Sequence, residues 1–414
     1  MLGQRRWCAF AGLCCIGAPW CRAQIWSEAE IIERFESLSP QAREERARVA
    51  VVQADVRTRT VPPNPSASYS REGAGYVAFF EASQTLPISK HLRYLRAAGS
   101  AAVAVADTDR EAILWSSRSD LRVAFYRMVA AQERVGLLSA AITETEQLIR
   151  VLRQREDEGE GSHYDRLRAE RELTELRTDL GGAQSLVAAA GARVAGFLPE
   201  GAVVSRVTGQ LPVAAAAPAQ DELVRRALAA RADYRAQQKN ASRYQAEEQA
   251  ARRLRIPEPT VTAGVKRGNV VSGVPPNPFS NVTETAVAFS VSVPILAFDR
   301  GQYEVARFQA EQAHIQAQTA TLARLITTEI QGARDVLTLR QDALAAYRRE
   351  LESAGGELTQ VTQVAYQEGE IGILELLDSL RVSRAASLRM LDLEAGVKEA
   401  FIELERAVGE EVHP

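Results

Sequence analysis

Two periodicities organise this chain. From about Arg300 to Glu368, Ile330, Leu337, Leu344, Leu351, Leu358 and Ala365 recur every seven residues. Ala333, Tyr347, Ala354 and Val361 follow four of them by three places, and Arg340 breaks this second stripe. A seven-residue apolar repeat is the seam of a coiled coil. At 1.5 Å per residue the helix that carries it is about 100 Å long. An antiparallel coiled-coil hairpin accounts for the seam, while the alanines on other faces argue for close neighbours on two sides, as in a ring of helices. Just before this helix, TETAVAFSVSVP alternates instead. Val287, Phe289, Val291 and Val293 take one face, and Ala286, Ala288, Ser290 and Ser292 the other. The earlier TVTAGV puts Val261, Ala263 and Val265 on one face of a partner strand. Period two means an extended strand with one apolar side. A half-buried soluble sheet gives that pattern, and so does a transmembrane barrel with strands of about ten residues. Lipid does not tolerate unpaired strand edges, so a membrane-spanning sheet must close. The two hairpins of this chain supply four strands, and closing a wide barrel would require several chains.

Proline placement shows that the plan occurs twice. No proline falls between Pro87 and Pro199, or between Pro294 and Pro414, and both tracts are rich in helix-forming residues. Each follows a shorter region that begins with proline, has glycine in its middle and ends in Leu-Pro-Ile or Val-Pro-Ile. Pro87 and Pro294, like Arg127 and Arg334, stand 207 residues apart, and Gly159 and Gly369 stand 210 apart. The chain is therefore an internal duplication. It divides into a leader at 1–23, a first repeat at 24–200, a linker at 201–220 and a second repeat at 221–410. The hairpins fall at about 65–88 and 258–295, and the long helical hairpins at 89–196 and 300–409. Helices over Ser27–Arg59 and Glu222–Arg255 lead into the two copies, with an interruption expected in the first at Pro40.

Composition narrows the class. Arg5 and Arg6, an apolar run from Trp7 to Trp20, and small residues at Cys21 and Ala23 have the layout of a secretory signal peptide, with cleavage expected after Ala23. The run is shorter than the roughly 20 residues of a spanning helix. All four cysteines, Cys8, Cys14, Cys15 and Cys21, lie in this segment, so cleavage leaves a chain without disulfides. The whole chain has 50 basic and 53 acidic residues, a net charge of −3. Its arginines are interspersed with acids as on solvated helix faces, and no basic face for nucleic acid is visible.

Near the C-terminus, AYQEGEIGILELLDSLRVSRAASL interrupts good helix formers with Gly369 and Gly372, then places Glu375 and Asp378 three apart among leucines. EGEGSHYDRLRAERELTEL, from Glu158, is its weaker echo. Carboxylates at i and i+3 share one helix face. Near a helix N-terminus such acids are also favoured by the dipole alone.

The order of motifs resembles that of TolC-like outer-membrane efflux factors, most of all the CzcC-like and CusC-like group paired with heavy-metal exporters. The resemblance is carried by the duplication, PNP before the first hairpin, TLPISKHLRYLRA, RVAFYRMVAAQERVGLL and YQEGEIGILELLDSLR. It implies a mainly α fold with a small β part. In a homotrimer that fold gives a twelve-stranded barrel in outer-membrane lipid and a helical barrel across the periplasm. A periplasmic adaptor (membrane fusion) protein and an inner-membrane pump would be the partners. Gly159, Gly161, Gly369 and Gly372 would form the tip turns where the adaptor docks. Glu375 and Asp378 would form the channel constriction, where a ring of carboxylates favours cations. Tyr366 and Asp165 would make gate contacts. The acidic pair is Glu then Asp rather than two Asp, and His163 and Tyr164 depart from the family's pattern around Asp165.

Other chemistry finds little in the sequence. His91, His163, His314 and His413 are far apart, and no metal-ligand spacing, phosphate loop or nucleophile elbow is present. No enzyme, cofactor or resident metal is expected. Besides a passive export channel for metal cations or small toxic compounds, two alternatives fit: a soluble periplasmic coiled-coil adaptor or scaffold, and a type I protein-secretion conduit. Adaptors carry a single helical hairpin between compact β domains, which this duplicated plan does not show.

Overall fold

The computed structural model describes residues 25–73, 77–211, 218–272, 280–368 and 370–412. The leader and Gly369 lie outside the described residues. The chain runs β1 (Ile25–Ser27), α1 (Glu28–Leu38), α2 (Pro40–Thr60), β2 (Ser66–Glu72), β3 (Val77–Thr85), α3 (His91–Asp157) and α4 (His163–Ala195). It continues β4 (Arg206–Thr208), α5 (Gln220–Ala230), α6 (Ala232–Arg253), β5 (Thr260–Ser272), β6 (Ser280–Ser292), α7 (Gln302–Gln367) and α8 (Ile373–Val408). No described helix is long and apolar enough to cross a membrane.

The two copies match element by element. α1 and α5 have 11 residues each, and α3 and α7 have 67 and 66. Each long helix starts after a left-handed residue, Lys90 (φ 62°) in the first copy and Gly301 (φ 78°) in the second. The leading helix breaks in both copies, by different chemistry. In the first, Ser39 accepts from the Ala42 N–H at 3.0 Å and Pro40 opens α2. The second break, which the sequence pattern misses, falls at Arg231 without serine or proline. Its guanidinium holds Asp233 at 2.7 Å and Glu329 at 2.5 Å, and donates to the Ala407 carbonyl at 3.2 Å. Arg231 thereby joins the start of α6 to the end of α8.

Around the two long helices the others form one layer. In the half near the sheet the order is α2, α3, α6, α7, and in the far half α4, α3, α8, α7. α3 and α7 are not neighbours in the layer and approach each other at the far tip, where Arg155 meets Tyr366, so along the layer each inner helix is covered on two flanks and the outer ones on one. The predicted seam is seen between α7 and α8. Ile330 and Leu337 are fully buried, Leu344 is buried, and Ala333 packs against them. Arg340 interrupts that stripe and donates to the Gly396 carbonyl at 2.5 Å. α7 also keeps a second apolar stripe exposed, with Leu325, Val336, Leu339, Val361 and Val364.

Charge sets the register between the copies. Down the α3–α8 seam, Arg134 pairs with Asp392, Arg127 with Glu399 at 2.7 Å, and Arg406 with Asp120 at 3.0 Å, one rung every seven residues. Arg122 lies buried between Glu28 at 2.6 Å and Glu405 at 2.5 Å. Outside the layer, α1 and the β1–β4 pair pack on α3 with Trp26, Phe35, Phe125, Val204 and Val207 in one core. β4 lies in the segment that reads as a linker.

The strands form one antiparallel sheet, β2-β3-β5-β6. Val261 stands opposite Val291, Ala263 opposite Phe289 and Val265 opposite Val287. The alternation in the sequence therefore does give one apolar face. Tyr69 and Phe80 extend that face across β2 and β3, with ring centroids 4.8 Å apart. It is uncovered: Val287 is 85% and Phe289 69% exposed. The other face carries Ser66, Ser68, Ser83, Thr262 and Ser290.

Replacing Arg231 by Ala leaves Asp233, Glu329 and the end of α8 without their shared cation. The expected loss is about 2 kcal/mol, the scale of hydrogen bonds to charged groups. Thermal unfolding followed by far-UV circular dichroism measures it, and Arg231→Lys, which lacks the fork, recovers less than half.

Candidate functional site at the helical tip

The far end of the molecule is two helix–turn–helix tips related by the duplication. At the first, α3 ends at Glu158 and Gly159 takes φ 79°, in the left-handed region that glycine enters without steric cost. The Gly159 N–H donates to the Glu156 carbonyl at 3.1 Å and the Glu160 N–H to the Arg155 carbonyl at 2.9 Å, closing the helix. Gly161 is required by space. A Cβ there would sit 2.7 Å from the Glu156 backbone nitrogen. At the second tip the Glu370 N–H donates to the Ala365 carbonyl at 2.8 Å, the same bond 210 residues on. Gly369, expected as the matching turn residue, lies outside the described residues. Gly372 has extended backbone (φ −87°, ψ 172°) and caps α8, and a methyl there would meet only the Glu375 Oε2 at 3.0 Å.

Side chains of both repeats meet above these turns. Ile149 and Leu152 of α3, Ala169 and Leu173 of α4, and Ile373, Leu376 and Leu377 of α8 form one buried cluster, with Tyr366 and Leu380 against it. Burial pushes the Tyr366 hydroxyl up, Asp165 nearby adds to the shift, and Arg155 opposes it. The Arg155 guanidinium lies 5.9 Å from the Tyr366 ring centroid. The structure thus brings Tyr366 and Asp165 within electrostatic reach of each other.

Glu375 and Asp378 are exposed and line an open groove between α4 and α8, together with Arg168, Arg171 and Arg381. The Glu375 carboxylate folds back over the first turn of its helix, where the dipole favours it. Asp165 occupies the same third helical position in α4, 210 residues earlier. Among the described residues no His, Cys, Asp and Glu cluster is arranged to hold a metal ion.

The strongest polar feature of the tip is one that sequence reasoning missed. Glu172 of α4 accepts from Arg381 Nε at 2.7 Å and from Arg384 Nη2 at 3.1 Å, and Arg381 also holds Glu175 at 3.1 Å. The Glu172 side chain is only 5% exposed. Burial alone would raise its carboxyl, but the two arginines outweigh that and hold it below its ordinary value. No sequence signal marks these residues, since Arg and Glu more than 200 positions apart look like ordinary surface charges.

No protein-family model matches the sequence, and no curated protein shows significant similarity to it. Solved structures do match across nearly the whole chain. CusC, described in connection with transmembrane channel formation, aligns at 17% identity over 92% of each chain with a TM-score of 0.69. The Neisseria gonorrhoeae MtrE outer membrane channel aligns at 18% identity over 92% of this chain and 89% of its own, with a TM-score of 0.67. VceC, an outer membrane protein of Vibrio cholerae, aligns at 15% identity over 93% of this chain and 96% of its own, with a TM-score of 0.63. The chain has the fold of these proteins, so the resemblance to TolC-like efflux factors holds at the level of the fold.

Two outcomes test the tip. Gly161→Ala forces a methyl against backbone and is expected to cost about 1–3 kcal/mol, whereas Gly372→Ala meets one movable carboxylate and stays within about 0.5 kcal/mol. Paired melting curves separate the two. The second outcome concerns acid. Because the folded Glu172 carboxyl lies below its ordinary 4.5, its stabilisation is complete above about pH 4.5 and is lost as pH falls through the lowered value. Proteolysis of the α3–α4 tip should rise over that interval in the native chain, and Glu172→Gln should flatten the rise.

Proposed function

We propose that this chain is one subunit of a trimeric outer-membrane export channel, working passively beside an energised pump. The observation that carries it is the pairing of two open edges. A single layer of helices about 100 Å long ends in a four-stranded sheet whose apolar face is bare. Neither the layer nor the sheet can close within one chain. Three copies supply twelve strands, a number that closes a barrel with its apolar face to lipid and its serine-rich face inward. The same operation closes the helices into a tube.

In this reading the apolar face of β5 and β6 lies in the outer membrane and the tips point into the periplasm, towards an adaptor and an inner-membrane pump. Glu375 and Asp378 line the constriction, Tyr366 and Asp165 contribute to the gate, and the glycine turns at Gly159, Gly161, Gly369 and Gly372 meet the adaptor. The resemblance of the sequence motifs to the group paired with heavy-metal exporters supports metal cations as cargo, with other small toxic compounds as the wider class. A type I secretion conduit shares the fold, and a panel of export substrates separates the two.

Detergent extraction should recover the protein from outer membranes as a trimer that conducts in planar bilayers. Glu375→Gln with Asp378→Asn should lower the cation-over-anion permeability ratio by about threefold or more, the effect of unit charges several ångströms from the path in a water-like medium. A soluble monomer sinks the channel reading. A conducting trimer whose selectivity and divalent block are unmoved sinks only the constriction.

A further inference from the structure

The four-stranded sheet sorts its charges by face, and in the trimeric membrane reading above, on which this inference rests, the two faces meet different media. β2, β3, β5 and β6 carry three acids, Glu72, Glu81 and Glu284, and three cations, Arg71, Lys266 and Arg267. Successive residues of a strand point to opposite faces. The register then puts all three acids and Lys266 on the serine-rich face, and both arginines on the apolar face. Contacts at the same height agree. Lys266 Nζ lies 5.3 Å from the Phe79 ring centroid on the serine-rich side, while Tyr69 and Phe80 meet on the other.

The two arginines share one row. Arg71 stands opposite Ala78, Ala78 opposite Arg267, and Arg267 opposite Thr285. Both arginines are exposed. Two strand spacings put their backbones about 10 Å apart, with only the Ala78 methyl between them on that face. The row directly below is Tyr69, Phe80, Val265 and Val287. The arginines stand at the end of the sheet away from the helices, because β3 and β6 run into α3 and α7 at the opposite end. Aromatic rings edge the lipid-facing band of a membrane barrel, so Tyr69 and Phe80 set the row above them at headgroup level. An arginine facing lipid is costly at mid-depth and close to neutral there. Solvation alone would need no sorting, since water accepts either sign on either face.

We infer that Arg71 and Arg267 form a binding site for the phosphate groups of glycolipid in the outer leaflet. A guanidinium meets phosphate through two parallel N–H donors, and two of them in one row present a fork on each side of Ala78. The acyl chains of the same molecule lie along Tyr69, Phe80, Val265 and Val287. With Glu72, Glu81 and Glu284 turned to the other face, no strand carboxylate stands beside the phosphates to repel them. The far end of the sheet faces the exterior, where the anionic phosphates of the leaflet belong to glycolipid, so this lipid rather than a phospholipid is the occupant.

The test uses the full chain as a purified trimer in detergent, with native mass spectrometry counting bound lipid. The probes are diphosphorylated lipid A, the same lipid stripped of phosphate, and phosphatidylglycerol. The native trimer should retain diphosphorylated lipid A about fivefold or more better than Arg71→Gln with Arg267→Gln, since charge-assisted bonds to phosphate are lost. Lys266→Gln removes a cation from the other face and should retain the lipid like the native protein. The stripped lipid should not distinguish these proteins. Arg71→Lys with Arg267→Lys keeps the charge without the fork and should fall between, and it carries the comparison if the glutamine pair does not assemble. Equal retention by the native and substituted trimers, or an equal loss in Lys266→Gln, overturns the site. Phosphatidylglycerol retained as strongly as the glycolipid overturns the glycolipid assignment. Failure to obtain a trimer removes the proposed function, whereas a trimer indifferent to these substitutions removes only this inference.

Discussion

A helix in a single layer has two flanks to cover and, except where α1 and the β1–β4 pair pack on α3, nothing behind it to cover a third. That constraint governs the rest of this structure. In a compact bundle the apolar stripe faces one core, and the remaining surface is free to be polar. Here α3 is packed on one flank by α2 and α4 of its own repeat and on the other by α6 and α8 of the second, whereas α7 is packed on one flank, by α6 and α8. The alanine-rich faces that let helices approach on both sides follow from this geometry. So does the apolar stripe left bare on α7, which has no second flank to meet within one chain.

The same constraint explains where charge is placed. Helices of alanine and leucine slide past one another with little penalty, because one small apolar contact replaces another. The Arg134–Asp392, Arg127–Glu399 and Arg406–Asp120 rungs remove that freedom along α3 and α8, since a slip of one turn parts every pair at once. Arg122, buried with Glu28 and Glu405, adds the penalty of an unpaired buried charge to any alternative register. Near the tip the seven-residue rungs stop, and the apolar cluster takes over with the Glu172–Arg381–Arg384 link beside it. The two repeats are thus fastened by charge in the middle and by leucines and one buried ionic cluster at the end.

Duplication gives the tip two versions of one motif, and their differences carry more information than their likeness. Closing each turn needs the same backbone bond, so Glu160–Arg155 and Glu370–Ala365 are preserved in form. The faces above the turns are free to diverge, because one looks into its own chain and the other looks out of it. Glu375 illustrates the same division. Its position over the first turn of α8 is shared with Asp165, so a local helix-end role accounts for both, and Asp378 is the carboxylate that this local role leaves over.

Much of this was legible in one dimension because it depends on period. Seven-residue spacing identifies Ile330, Leu337 and Leu344 as a seam, and alternation identifies Val287, Phe289 and Val291 as one face, whatever the rest of the chain does. Glycine at 159 follows from its left-handed backbone. The break at Arg231, the pairing of β1 with β4 and the Glu172–Arg381–Arg384 cluster have no such local signature. Each is a contact between residues about 100 to 210 positions apart, and a charged side chain reads the same in sequence whether it meets water or a distant partner. The sequence by itself determined the elements, their duplication and the faces that must be covered. Only the tertiary structure decided which face covers which, because that depends on the register in which distant helices pack.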